Sequence, residues 1–314
     1  MRSRPSSLHD DVIADAVARH WPAANSDSTG HVRIAEIAYL PWGFGAHHWR
    51  VTRPGGTLFV TLDQLAPRHT RASLEAAYAG AAALSAGGLA VVCAPLPSRT
   101  GRFTVEVGGG ALSVTPWSAG HTPTEAEARE PHHVRAVVAA LATLHDAGPP
   151  SGLGDWTPVV GPAFAEELRA RTARPWASGP LGEAARRAID ARHDAIRRWT
   201  VRYHELAGAA VAHRDRWVPT HGEPHFANQL VDASGLRLVD WESLLLAPRE
   251  RDYGDLLAAG AEVPHEPAMT ELFALDWRLS EIAAYARWFA SPHTGNEDDH
   301  TALDGLHEEL ATSE

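Results

Sequence analysis

Polar and apolar residues alternate along the first third of the chain in short runs separated by turn formers. The runs are Arg33 to Leu40, His47 to Thr52 and, after the turn Arg53-Pro54-Gly55-Gly56, Thr57 to Leu62. A two-residue period bounded by Gly and Pro predicts antiparallel hairpins. The period lengthens to that of a helix over about Arg71 to Ser85. It then returns to strand-like runs at Ala90 to Ala94, Phe103 to Val107 and, past Gly108-Gly109-Gly110, Ala111 to Thr115. A small antiparallel sheet of about five strands carrying one helix is predicted.

The pattern changes at Pro116-Trp117-Ser118-Ala119-Gly120. Beyond it, Val134, Val138, Leu141 and Leu144 repeat at helical spacing, and further helical stretches fall at about Phe164 to Arg171, Gly182 to Val211, Tyr253 to Ala261 and Pro267 to Phe289. A short β insert from Val218 to Asp240 interrupts them. The expected fold class is therefore α+β with two lobes: residues 1–117 strand-rich, and residues 118–314 mostly helical. Ligands commonly bind in clefts between such lobes.

Composition narrows the choice of function. The 314 residues carry 28 Lys plus Arg against 39 Asp plus Glu, a formal net charge of −11, so the field repels phosphate backbones and argues against nucleic-acid binding. All the basic residues other than His are Arg; there is no lysine. The single Cys93 lies in an apolar run and reads as a buried thiol. The first residues show no apolar signal segment, and the uncharged stretch from Ala76 to Pro97 is broken by Gly and Pro, so a cytoplasmic protein without a membrane span is expected.

Chemistry concentrates in Thr220-His221-Gly222-Glu223-Pro224-His225-Phe226-Ala227-Asn228, followed by Leu236-Arg237-Leu238-Val239-Asp240-Trp241-Glu242. A polar loop feeding a hairpin that returns to an aspartate holds a carboxylate, an amide and a second carboxylate on one support. Transfer of a γ-phosphoryl group needs a carboxylate to orient or deprotonate the attacking hydroxyl, and oxygen ligands for Mg²⁺. Glu223, Asn228 and Asp240 are of those types. No Gly-x-Ser-x-Gly elbow is present, which removes a serine-hydrolase reading. His47, His48 and His225 lack the spacing of a zinc site, and neighbours on a strand point to opposite faces.

These residues resemble the aminoglycoside phosphotransferase family, whose loop reads His-Gly-Asp-x-His-x-x-Asn and whose metal strand reads Ile-Asp-Trp-Glu. The likeness extends to Asp252, to Leu144-His145, and to the order of strands before Pro116. Leu40-Pro-Trp-Gly-Phe-Gly-Ala-His-His-Trp-Arg-Val51 and the His-Gly-Glu-Pro-His loop look most like the actinobacterial spectinomycin phosphotransferase-like branch. The resemblance implies a protein-kinase-like fold, with a nucleotide lobe over residues 1–117 and a catalytic and acceptor lobe over 118–314. It puts Glu223 at the base position, His221 at the position that braces the loop, and Asn228 and Asp240 at the metal positions. It implies Mg²⁺ and ATP or GTP as phosphoryl donor, with a small hydroxylated acceptor, an aminoglycoside-like or other antibiotic, while the net charge of −11 tilts that acceptor toward a cation.

Two departures stand out. Glu223 replaces the family's Asp, adding a methylene. The lysine that kinase-like folds place on the third strand is missing, and Thr61 takes its position. Arg50 on the preceding strand is one substitute. Gly43-Phe44-Gly45 is either a phosphate-covering loop or a tight hairpin. Thr115 and Trp117, at the hinge, are expected beside the base. Glu75, without a lysine partner, reads as a solvated helix charge. The acidic tail Asn296-Glu297-Asp298-Asp299-His300 reads as solvated surface or, with Glu262, Glu266 and Asp276, as an acceptor pocket. Two other functions share the motif: a kinase of a primary metabolite such as a sugar, amino alcohol or nucleoside, and a retired kinase-like binding protein.

Overall fold

A computed structural model describes residues 8–22, 34–43, 46–66 and 69–311. The alternating first third forms one five-stranded antiparallel sheet: β1 (Glu36–Leu40), β2 (Ala46–Arg53), β3 (Gly56–Asp63), β4 (Val105–Val107) and β5 (Gly110–Pro116), in the order β1-β2-β3-β5-β4. The two-residue period sorts its side chains. Trp49, Val51, Leu58, Val60, Leu62, Leu112 and Val114 share the face that packs on Ile13, Ala16 and Val17 of α1 (Asp10–His20), and all ten are buried. Burial of each large side chain here stabilises by about 1.5–3 kcal/mol. Trp49 also donates through Nε1 to Asp10 Oδ1 at 3.0 Å, which pins the start of α1 to the sheet.

The opposite face is polar and aromatic. The register places His48, Thr61 and Ser113 in one row, Arg50, Phe59 and Thr115 in the next, and Ala46, Asp63 and Ala111 on the other side of His48. α2 (Arg71–Ala86) begins in a capping box in which Thr70 Oγ1 accepts from Ser73 N at 3.0 Å and Ser73 Oγ accepts from Thr70 N at 2.9 Å.

The chain continues through α3 (Glu125–Ala128) and α4 (Pro131–His145), then α5 (Phe164–Thr172), α6 (Gly182–Ala191) and α7 (His193–Val211). It next forms β6 (Val218–Thr220), β7 (Gln229–Asp232), β8 (Gly235–Leu238) and β9 (Leu245–Ala247), with β7 paired to β8 and β6 to β9. α8 (Gly254–Ala258), α9 (Pro267–Ala290) and α10 (Glu297–Ala311) follow. Residues 1–155 with 218–263 make one compact unit, and residues 156–217 with 264–314 a second. In the second unit α9 packs on α7, α6 and α10. Among the described residues no helix is long and apolar enough to cross a membrane.

Several expectations change. The sheet carries α1 as well as α2. Ala90–Ala94 is not a strand: its backbone meets β8 at one place only, with Cys93 N donating to Leu238 O at 3.1 Å and Leu238 N to Val91 O at 2.7 Å. The stretch from Gly182 to Val211 is two helices broken at Arg192, where neither Gly nor Pro marks the break; α6 packs on α10 as well as on α5 and α9, so tertiary contacts set it. Glu75 is not solvated. It accepts from Phe103 N at 3.0 Å and Thr104 N at 2.7 Å, fastening the loop before β4 to α2. In the tail, Asp298 and Asp299 are buried, and Asp299 accepts from Trp288 Nε1 and from the amides of Thr294, Gly295 and Asn296.

Candidate active site

The loop after β6 is built around a carboxylate it does not contain. Asp252, fully buried, accepts from His145 Nε2 at 2.9 Å and His221 N at 3.0 Å through Oδ2, and from Gly222 N at 2.6 Å through Oδ1. Burial alone would raise its pKa. The hydrogen bond and charge of His145, with His221 and Arg251 nearby, outweigh it and hold the carboxyl below its ordinary value. The end of α4 and the start of the loop are thereby tied to one point. Gly222 is required there: its φ is +94°, and a Cβ would lie 2.4 Å from Arg251 Nη2.

His221 is buried and braced on both ring nitrogens. Nε2 lies 2.8 Å from Val239 O and must donate to it, which leaves Nδ1 to accept from Glu223 N at 3.3 Å. Burial pushes its pKa down, so the ring is neutral in this tautomer, and it packs on Trp241 with centroids 4.6 Å apart. The ring ties the loop to the strand that returns to Asp240.

Glu223 is half-buried, and its Oε1 accepts from Ser243 Oγ at 3.2 Å. Arg251 Nη1 in turn donates to Ser243 O at 2.8 Å and Thr220 Oγ1 at 3.0 Å, so the tether of Glu223 is itself fixed. Asn228 is buried and donates its amide to Glu223 O at 2.9 Å, with His225 Nε2 at 3.3 Å on the second hydrogen. With both N–H groups used within the loop, Oδ1 is left as an acceptor, an oxygen of the kind magnesium takes. Gln229 holds the start of β7, donating to Pro224 O at 2.7 Å and accepting from His133 Nε2 at 2.6 Å.

Asp240 adopts φ +66°, the left-handed region that a non-glycine residue occupies at a cost. It stands close to two more carboxyls. Asp63, buried at the end of β3, shares a hydrogen bond with Glu242 and accepts from Tyr78 OH of α2 at 3.0 Å. Burial, then the charges of Glu242 and Asp240, raise the Asp63 pKa well above its ordinary value. His69 Nε2 lies 3.3 Å from Glu242. Among the described residues no group of three or more His, Cys, Asp or Glu is arranged to hold a metal. The amide oxygen of Asn228 and the carboxylate of Asp240 are the donor pair that fits a small hard cation.

Of the nucleotide residues expected from the sequence, Thr61 and Thr115 lie on the polar face of the five-stranded sheet. Thr61 is hydrogen-bonded through Oγ1 to His48 Nδ1 at 3.2 Å. Trp117 lies beyond Thr115, 6.3 Å from Phe59 and 6.3 Å from Trp42, and Trp42 stacks on Phe59. Arg50 sits with its guanidinium 5.5 Å over the Trp117 ring, away from Thr61. Gly43, φ +71°, faces His48. Phe44 and Gly45 lie outside the described residues. In the second unit Asp276 accepts from Trp156 Nε1 and Tyr203 OH, and Glu266 pairs with Arg216 at 3.8 Å.

Sequence reasoning passed over Ser243, Asp63, Tyr78 and the role of His48. Each acts through a partner at least thirteen residues away, so no local spacing announces it. In the loop after β6 the Glu223 carboxylate is held by Ser243 and the Asn228 amide by Glu223 O.

Comparisons with known proteins bear on this arrangement. Residues 36–288 match the family described as phosphotransferase enzyme family. Protein StrN of Streptomyces griseus is 29% identical over 281 residues, covering 86% of this chain and 85% of its own. A spectinomycin phosphotransferase crystallised with ADP and spectinomycin superimposes with a TM-score of 0.70 at 15% identity, covering 96% of this chain and 94% of that one. A microcompartment-associated aminopropanol kinase does so with a TM-score of 0.60 at 16% identity, covering 96% of each.

Proposed function

Because the chain belongs to the phosphotransferase enzyme family, we propose that it moves the γ-phosphoryl group of ATP or GTP onto a hydroxyl of a small cationic antibiotic, with Mg²⁺ as cofactor. In this reading residues 1–117 carry the nucleotide and residues 118–314 carry catalysis and the acceptor. The observation that supports it is the Glu223 carboxylate, held by Ser243 on a loop that Asp252 fixes beside Asn228 and Asp240.

Glu223 Oε takes the proton of the acceptor hydroxyl as the new O–P bond forms, and the bond from the γ-phosphorus to the bridging oxygen breaks, leaving the nucleoside diphosphate. His221 keeps the loop in register and moves no proton, since both its nitrogens are engaged within the protein. Asn228 and Asp240 would hold Mg²⁺, which when bound offsets charge on the phosphates. The extra methylene of Glu223 is accommodated by its tether to Ser243, so the departure from aspartate leaves a placed carboxylate.

The net charge of −11 favours a cationic acceptor, and the similarity to a spectinomycin phosphotransferase supports an antibiotic as its class. Incubation with γ-labelled ATP or GTP, Mg²⁺ and a panel of aminocyclitol and aminoglycoside antibiotics, beside amino alcohols and sugars, tests the proposal. Label transferred to an antibiotic, and lost in Glu223→Gln, is the expected result. Transfer only to an amino alcohol or sugar would replace the acceptor class, and transfer unaffected by Glu223→Gln would remove Glu223 as base.

A further inference from the structure

We propose that His48 and Thr61 together anchor the phosphates of the donor nucleotide, taking the place of the absent strand lysine; this rests on the donor reading above. The polar face of the sheet is ordered along β3. Phe59, with Thr115 opposite and Trp117 and Trp42 around it, forms an aromatic end suited to stack a nucleobase. Asp63, four residues on and about 13 Å away at strand rise, meets Glu242 beside Asp240, the metal end. Thr61 lies between them with His48 directly across the strand pair. A nucleotide laid along this face, with base at the first end and cation at the second, brings its phosphates to the middle row.

The pair there can receive them. His48 Nδ1 and Thr61 Oγ1 are 3.2 Å apart, and the ring is fixed by stacking on Phe59 at 5.0 Å and 24°. Burial holds the ring neutral, with a pKa near 4. In one tautomer Thr61 donates to Nδ1 and the Nε2 hydrogen remains for an anion. In the other, Nδ1 donates and the Thr61 hydroxyl hydrogen remains. Either way one donor is left for a phosphate oxygen. Nε2 borders the glycine turn: a Cβ on Gly43 would lie 3.3 Å from it, so only glycine leaves that approach open. Arg50, in the neighbouring row of the same face, lies over Trp117.

Calorimetric titration tests the assignment, using ATP and adenosine, and GTP and guanosine, with Mg²⁺ present, against wild type, Thr61→Val, His48→Phe and His48→Gln. Loss of a hydrogen bond to a charged phosphate predicts about tenfold to hundredfold weaker triphosphate binding in Thr61→Val and His48→Phe, with nucleoside affinity unchanged. His48→Gln, which keeps a donor, retains most of the affinity. Variants that bind the triphosphate as wild type does would overturn the anchor and leave the donor reading standing. Equal loss of triphosphate and nucleoside would also overturn it, because it would show a collapsed face rather than a lost phosphate contact. A wild-type protein that binds neither triphosphate would overturn both.

Discussion

Replacing Asp252 by alanine removes the acceptor of three buried donors at once: His145 Nε2, His221 N and Gly222 N. A buried donor left without a partner costs about 1–3 kcal/mol. Partial relaxation around a smaller side chain brings the sum to about 3–5 kcal/mol, the range seen when one partner of a buried pair is deleted. With a urea dependence of about 3 kcal/mol/M, the midpoint should fall by about 1–1.7 M. Asp252→Asn keeps one acceptor oxygen but turns an NH₂ toward a donor, so it should lie between wild type and alanine. The sign of the pH effect follows from the depressed carboxyl: its contribution is complete above about pH 3.9, the unfolded value, and is lost as pH falls through the lower folded value. The alanine cost should therefore be the same at pH 5 and pH 7. Urea unfolding followed by circular dichroism measures it. A loss under about 1 kcal/mol, with the loop still active, would refute the claim that this carboxylate organises the site.

Four further outcomes follow from the same geometry. Ser243→Ala frees the Glu223 carboxylate and should lower kcat about tenfold with the nucleotide KM unchanged, read by steady-state kinetics. Gly222→Ala drives a Cβ into the Arg251 guanidinium at a left-handed position, and should cost about 2 kcal/mol or more in urea unfolding. Asp240→Gly relieves the strained φ and one of three neighbouring carboxyls, and should raise the thermal midpoint by the equivalent of about 0.5–1 kcal/mol while abolishing transfer. His48 and His221 both have folded pKa values below 6.5, so the unfolded state takes up protons first and stability should fall as pH drops below about 6.5. For His48 the shift to about 4 amounts to at most about 3 kcal/mol by pH 4, and His48→Gln should remove that share of the slope in pH-dependent unfolding.

The parts of this architecture legible in the sequence are those set by local periodicity. The strands from Glu36 to Asp63 and the helix from Arg71 stand within a few residues of where alternation, helical spacing and turn residues put them. The run Ala90–Ala94 misled because an apolar stretch of β-branched residues signals burial, and its single bridge to Leu238 is decided by a segment far along the chain. The break at Arg192 was invisible for the same reason. In the site, the order His221, Glu223, Asn228, Asp240 is a motif and can be read directly. The tether from Ser243 and the contact of Asp63 with Tyr78 depend on which surfaces the fold brings together, and neither leaves a spacing to read.

The order in which the chain visits its two units bears on how it can form. The carboxylate that closes the first unit, Asp252, lies 107 residues after its partner His145, and residues 156–217 of the second unit come between them. During synthesis the first unit cannot make that contact until Asp252 has left the ribosome, whereas the five-stranded sheet with α1 and α2 is complete by Pro116. The second unit likewise waits for its closing helices, α9 and α10. A fragment ending at residue 217 would hold the sheet but lack β6 to β9, the loop after β6 and its anchor Asp252. The loop after β6 is thus a late event, assembled only once the chain has left the first unit and come back to it.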